Sequence, residues 1–269
     1  MKTLIIIPAR YGSTRLPGKP LAMIHGKTML QRVYELAQKA ASLREDVDIL
    51  IATEDQRIID HANDLGAQAV MTPESCQTGT DRAHAAVKAA DLSPDVVLNL
   101  QGDAPLTPVH FITDMIDAFQ SDPAPDVVTP AYRLSWTQLD DLRRSKQETP
   151  FSGTTVIAGP RGRALWFSKN IIPAIRKEDS LRKSEALSPV IRHIGLYAYS
   201  YPALARYVEM EQSRYEELEG LEQLRLLENG FTIQLAIIDP KGQPIHGGID
   251  SPEDIIKAEQ ILSGGGITV

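Results

Sequence analysis

The stretch Ile7-Pro-Ala-Arg10-Tyr-Gly-Ser-Thr-Arg15-Leu-Pro-Gly-Lys19-Pro20 decides how the rest of the chain is read. It follows the apolar run 4–7, which reads as a buried first strand. It then becomes a loop, and the stretch as a whole carries two Gly, three Pro and three cations. In an α/β sheet the carboxyl ends of strands are where ligands bind. Gly and Pro fix the path of such a loop and let backbone amides face outward. Arg10, Arg15 and Lys19 would surround a polyanion, Arg through forked contacts and Lys as a point charge. The other reading of these residues is a solvated loop with scattered positive charge. Two phosphate motifs are absent. A Walker A loop places four residues between its Gly and its Gly-Lys pair; here five separate Gly12 from Gly18-Lys19, and Pro20 follows. No GxGxxG is present, so ATPase and NAD-dehydrogenase readings lose their main support.

Outward from the loop, the chain alternates strand and helix. Thr28 can cap a helix with Leu30, Val33, Tyr34 and Ala37 at helical spacing. A strand is expected over 48–53, a helix over 55–65 ended by Gly66, and a short strand over 67–72. Thr80 would start a helix running to Ala90, followed by a strand at 95–100 and a helix opened by Thr107-Pro108. This pattern predicts an α/β, Rossmann-like fold: a mostly parallel central sheet with helices on both faces. After residue 126 the pattern changes. Strands at 127–132, 154–158, 163–168, 190–200 and 232–239 are expected, the second and third forming a hairpin. Helices are expected at 135–144, 216–228 and 252–262. The charged stretch 177–188 has no clear period and reads as a mobile excursion, and the tail from Ser263 as frayed. We read one domain, 1–269, with a hairpin-bearing lobe inserted at about 127–200.

Composition narrows the function. The 269 residues, 42% hydrophobic, suffice for one large α/β domain with a smaller lobe. A net charge of -7 argues against a nucleic-acid partner, and a basic loop within an acidic chain suggests a small anionic ligand. The single cysteine, Cys76, excludes an internal disulfide and a thiolate metal cluster and reads as an inert small residue. No apolar run approaches the roughly 20 residues of a membrane helix. The N-terminus opens directly on strand and loop, so a cytoplasmic protein without membrane contact is expected.

Two further stretches carry chemistry. In Val97-Leu-Asn-Leu-Gln101-Gly-Asp103-Ala-Pro105 an apolar strand delivers Gln101 and Asp103 to its carboxyl end. Asp103 could bind a hard cation such as Mg²⁺ through oxygen, or simply start a loop. In Gly247-Gly-Ile-Asp250-Ser-Pro-Glu-Asp254, Ser251, Pro252 and Asp254 form a helix start. That explains Asp254 structurally. Asp250 is not needed for the cap and could project beside Asp103 as a second Mg²⁺ ligand.

Residues 7–21 resemble the IPARxxSTRLPGKPL signature of the CMP-Kdo synthetases (3-deoxy-manno-octulosonate cytidylyltransferases). Five later segments also resemble that family. Gln101-Gly-Asp103-Ala-Pro is similar to its QGDEP, Thr78-Gly79-Thr80-Asp-Arg82 to its SGTER, Arg192-His193-Ile-Gly-Leu-Tyr197-Ala-Tyr to its RHLGIYGY, and Gly220-Leu-Glu222-Gln223-Leu-Arg to the end of its EMLEQLR helix. The Asp250 segment is similar to its GVDTPED. The resemblance spans nearly the whole chain and implies a sugar nucleotidyltransferase. It implies CTP held by Arg10, Arg15, Lys19, Thr78, Gly79, Thr80, Arg82 and Gln101, and Mg²⁺ held by Asp103 and Asp250. It implies catalysis by Lys19, Arg10 and the two acids. A 2-keto-3-deoxy sugar acid, Kdo or a modified Kdo, would meet Gln101, His193, Tyr197, Glu222 and Gln223. Alternation along one strand would put His193 and Tyr197 on one face. A homodimer built through the lobe is also implied. Departures at Ala104, Thr155 and Lys169 fall in segments expected near the sugar and point to a modified relative of Kdo, such as one substituted at its far end; a cytidylyltransferase for another sugar acid, such as a nonulosonic acid, is the alternative. A binding protein without catalysis fits less well, because Lys19, Asp103 and Asp250 are intact.

Overall fold

The computed structural model describes residues 1–13, 15–120, 124–241, 245 and 247–263. The expected frayed tail lies outside the described residues from 264 on. The chain forms two compact units: residues 1–117, 196–208 and 240–269, and residues 118–195 and 209–239.

In the first unit five strands lie side by side in the order Ala69–Met71, Val47–Thr53, Thr3–Pro8, Val96–Asn99, Tyr197–Ser200. The first four run parallel and the last is antiparallel to its neighbour. Ile5, Ile6 and Ile7 are fully buried, as are Val97 and Leu98, which is why these strands read as continuous apolar runs. Helix Met29–Ser42 leads from the first strand to Val47–Thr53, and Gln56–Asp64 leads on to the edge strand. Helix Gly79–Ala89 then brings the chain back to the other side of the first strand. Right-handed crossovers therefore put the first two helices on one face and the third on the other. The order reverses between Thr3–Pro8 and Val96–Asn99, a topological switch point whose carboxyl end is a ligand crevice. Among the described residues no helix is long and apolar enough to cross a membrane.

Two of the expected starts hold and one moves. The Thr28 hydroxyl accepts from Gln31 N–H and caps its helix. Ser251 caps the closing helix Pro252–Ser263: its Oγ accepts from Asp254 N–H at 3.3 Å, and Asp254 Oδ2 accepts in return from the N–H groups of Ser251 and Asp250. The third helix, however, is capped by Thr78 rather than Thr80: Thr78 and Asp81 form a reciprocal capping box, and Thr80 is buried in the first turn.

The second unit holds strands Val127–Ser135, Thr154–Ala158, Ala164–Ser168, Leu187–His193 and Ile233–Ile237. Leu187–His193 pairs antiparallel with both Val127–Ser135 and Thr154–Ala158, and the expected hairpin joins Thr154–Ala158 to Ala164–Ser168. Ile233–Ile237 runs parallel to Val127–Ser135. The hairpin turn meets this last strand through an Arg163–Gln234 bridge. Gly162, at φ 74, allows the approach, because a Cβ there would lie 2.8 Å from Gln234 Nε2.

Three expectations fail here. The run 190–200 is two strands, Leu187–His193 and Tyr197–Ser200, broken at 194–196 and pairing in different units. Alternation therefore does not carry from His193 to Tyr197. The stretch 216–228 is two helices, Arg214–Glu219 and Glu222–Glu228, because Gly220 turns left-handed at φ 62. The stretch 177–188 is ordered: helix Glu178–Ser184 leads into the strand starting at Leu187.

Candidate active site

The switch point is built from four backbone segments. The first strand ends at Pro8, and Ala9 N–H extends it by donating to Ala52 O at 2.8 Å. The loop then leaves the sheet at Arg10, and Tyr11 N–H donates to Glu54 Oε1 at 3.0 Å. It closes where Gly18 N–H donates to Tyr11 O at 3.2 Å. Gly18 sits at φ 67, and a Cβ there would press on the Tyr11 ring. Gly18 thus lets the chain turn into the short 3-10 turn Lys19–Leu21, where buried Pro20 pins the backbone that presents Lys19.

The second segment follows Val96–Asn99. Leu100 N–H donates to Ile6 O at 2.8 Å, so the strand direction persists to Gln101. Gly102 is required by close approach, since a Cβ there would stand 2.5 Å from Pro8 O. Asp103 follows. The third segment, 247–250, is tied to it: Ile249 N–H donates to Asp103 O at 2.8 Å, and Gly248 lies flat against the Asp103 carboxylate. An apolar cluster of Ile24, Met29, Leu106, Ile249 and Ala258, with Leu16 packed on it, joins loop, Asp103 segment and Asp250 segment from below. The fourth segment is the capped start of helix Gly79–Ala89, whose Gly79 leaves room for the Gln101 side chain.

These segments converge on one cleft lined by Arg10, Lys19, Thr78, Gly79, Arg82, Gln101, Asp103 and Asp250. At its floor Lys19 Nζ donates to Asp103 Oδ2 at 2.6 Å and to Asp250 Oδ1 at 3.1 Å. Arg15 Nη2 stands 3.1 Å from Asp250 Oδ2. Two acids separated by about half the chain thus share one ammonium. Their oxygens converge on a single point, and a pair of hard carboxylates suits a hard divalent cation. Among the described residues no group of three or more His, Cys, Asp and Glu side chains is placed to hold a metal, so water and substrate oxygens would complete any such site.

Other expected residues have more specific partners. Arg82 is buried, its Nη1 2.9 Å from Glu54 Oε2 and donating to Thr72 Oγ1 at 2.6 Å. Glu54 therefore joins Arg82 to the start of the loop, a role no motif announced; its only signal is its place after a parallel strand. The Thr78 hydroxyl serves its capping box. Cys76 also lines the cleft, and burial raises its thiol above the ordinary value, which keeps it protonated.

In the first unit Tyr197 is buried, its ring 6.0 Å from that of Tyr199. In the second unit His193 is buried with Nε2 2.8 Å from Thr129 Oγ1 and the Phe167 ring edge-on at 5.0 Å. Burial, and next the Lys169 cation, lower His193 to about 3, so it is a neutral imidazole. Glu222 opens helix Glu222–Glu228 half-buried, and Gln223 beside it is buried. Arg225 forks onto buried Glu216 at 2.7 and 2.6 Å, fixing the two short helices to each other. Of the departing positions, Thr155 is structural: its hydroxyl donates to Asn170 O and accepts from Ile172 N–H. Lys169 is half-buried, and burial lowers its pKa. Ser168 Oγ and Lys169 N–H both donate to Glu219.

A cleft at a switch point where a cationic loop meets paired carboxylates fits an α/β nucleotidyltransferase. Within that class, the chain belongs to the cytidylyltransferase family, whose model, described as Cytidylyltransferase, matches residues 4–235. The 3-deoxy-manno-octulosonate cytidylyltransferase of Maricaulis maris (strain MCS10) is 41% identical over 266 residues, 99% of each chain. The protein of the same name from Chlamydia pneumoniae is 37% identical over 96% of this chain and 92% of its own. A solved structure of CMP:2-keto-3-deoxy-manno-octonic acid synthetase complexed with CTP superposes with a TM-score of 0.83 at 32% identity, covering 98% of this chain and 99% of that one. The resemblance read from the motifs and these similarities agree on family, fold and enzyme class.

Proposed function

We propose that this chain transfers CMP from CTP to the anomeric hydroxyl of 3-deoxy-manno-octulosonate, or of a substituted relative, and releases pyrophosphate. The observation that carries the reading is the meeting of Lys19, Asp103 and Asp250 within 3.1 Å at the switch point. The sugar oxygen attacks the α-phosphorus, the bond from that phosphorus to the bridging oxygen breaks, and pyrophosphate leaves with the bonding pair. The hydroxyl proton passes to solvent.

The chain's part is placement and charge. Lys19, Arg10 and Arg15 would neutralise the triphosphate and the departing pyrophosphate. The amides at the start of helix Gly79–Ala89, with Thr78, Gly79 and Thr80, would receive the nucleotide, and Arg82 and Gln101 would fix its position. Asp103 and Asp250 would hold Mg²⁺. When bound, that ion neutralises charge at the reacting phosphate. Gln101, which lines the same cleft, would meet the sugar acid there.

We also propose a cytoplasmic homodimer formed through the second unit, supported by Phe151, Leu165, Leu187, Tyr215, Leu218 and Ile237, large apolar side chains exposed there. Pyrophosphate release with CTP, Mg²⁺ and a panel of sugar acids tests the reading. We expect the highest kcat/KM with an octulosonic acid, Kdo itself or one substituted at its far end. Turnover with a nine-carbon acid and none with any octulosonic acid would move the assignment to a nonulosonic-acid enzyme.

A further inference from the structure

Lys19 is assigned above to the triphosphate, yet its ammonium already has partners. It lies 2.6 Å from Asp103 Oδ2 and 3.1 Å from Asp250 Oδ1, with its side chain only 15% exposed. Arg15 takes the other oxygen of Asp250 at 3.1 Å. Two carboxylates and two cations sum to zero, so the cluster is self-neutralised. The ammonium stands at the point on which the two carboxylates converge, where a divalent cation held by both would have to sit.

The two positive charges exclude each other. A divalent cation within coordination distance of both acids would stand against the ammonium, whose side chain is only 15% exposed, and at so short a distance the two would repel. The ammonium cannot simply withdraw, because a sheltered cation stripped of its partners loses more than it gains. It needs another anion, and a triphosphate brings one. Lys suits this exchange, being a compact point charge on a flexible stem. Arg15, 68% exposed, is free to follow.

We propose that Lys19 is an internal counter-ion that closes the Asp103–Asp250 pair to divalent cations until a nucleoside triphosphate draws the ammonium away. This rests on the metal reading given under the proposed function and adds an order to it. The free enzyme would bind metal weakly, and metal and nucleotide would each strengthen the other's binding by the same factor.

The test is Mn²⁺ titration of the full chain without nucleotide, followed by electron paramagnetic resonance. K19M removes the charge at similar volume, and K19R keeps it. We expect K19M to bind Mn²⁺ at least about tenfold tighter than wild type, a coupling of ordinary size for linked sites. K19R should bind as weakly as wild type, and K19M/D103N should lose the gain. The proposal is overturned if K19M binds no tighter than wild type, or if K19R matches K19M. It is also overturned, whatever the variants do, if wild type alone binds Mn²⁺ as tightly as its CTP complex does. Calorimetry of CTP binding separates the two readings. If D103N keeps the full Mg²⁺ enhancement of CTP affinity, the metal assignment itself falls. If D103N loses that enhancement while K19M gains no Mn²⁺ affinity, only the counter-ion role falls.

Discussion

In the first unit Lys19 and Arg15 meet Asp103 and Asp250; in the second, Arg143 and Arg182 meet Asp140 and Glu178. Both clusters join two cations to two acids, and their geometry separates them. Arg143 forks onto both oxygens of Glu178 at 2.8 and 2.7 Å, and Arg182 forks onto both oxygens of Asp140 at 3.0 and 2.6 Å. Arg182 also contacts Glu178 and lies 4.7 Å over the Trp136 ring. Helix Glu178–Ser184 has no buried residue, so this network is what holds it. In the first unit the contacts are single-point, and they sit in a cleft. Forked pairs fix an element, whereas point contacts beside a cleft can be exchanged for a ligand's charges.

The largest effect that would sharpen this contrast is at the acids. We expect D103N and D250N each to reduce turnover by about 10³, since on the proposed reading each would take a hard anionic ligand from the metal at the reacting phosphate. The thermal midpoint should change little. Near wild-type turnover of either variant at saturating Mg²⁺ would remove that residue from the site. K19A comes next: kcat and kcat/KM should fall together by about 10² to 10³, the usual loss for one positioned charge. An unchanged kcat with weaker CTP binding would show that Lys19 only tethers substrate.

The second cluster should behave in the opposite way. E178Q should leave kcat/KM within about twofold and cost about 1 kcal/mol of stability or less, as partly exposed pairs do. Loss of activity on a par with K19A would break the comparison. The smallest effect is its pH dependence. Hydrogen bonds from Arg143 and then Arg182 hold Glu178 at about 2, below its usual 4.5. A depressed carboxylate contributes stability that is full above about 4.5 and is lost as pH falls toward about 2. Helix 178–184 should therefore lose amide-exchange protection in that window in wild type, and E178Q should flatten the dependence.

How much of this was legible in the sequence follows from the same physics. The parallel strands of the first unit bury both faces, so Ile5, Ile6 and Ile7 or Val97 and Leu98 stand out as apolar runs. The cleft was legible because its residues cluster in short motifs at strand ends, down to the pairing of Asp250 with Asp103. Helix Glu178–Ser184 was not, because ion pairs rather than an apolar stripe fix it. The break at 194–196 was hidden because Ile194 and Leu196 continue the apolar run across Gly195. Thr80 drew the cap assignment from Thr78 because both can cap, and only the reciprocal bonds with Asp81 decide. Glu54 carries no motif; its two contacts, with Tyr11 N–H and Arg82, exist only in three dimensions.

The central claim is that the first unit's cleft moves a cytidylyl group, and following the α-phosphorus tests it most directly. CTP labelled at that position should be incubated with Mg²⁺, 3-deoxy-manno-octulosonate and the enzyme in a single turnover, and the products separated. The label is expected in a CMP-sugar, formed in step with one equivalent of pyrophosphate. Label that stays in CTP with every octulosonic acid tried, or that appears only as free CMP, would contradict it.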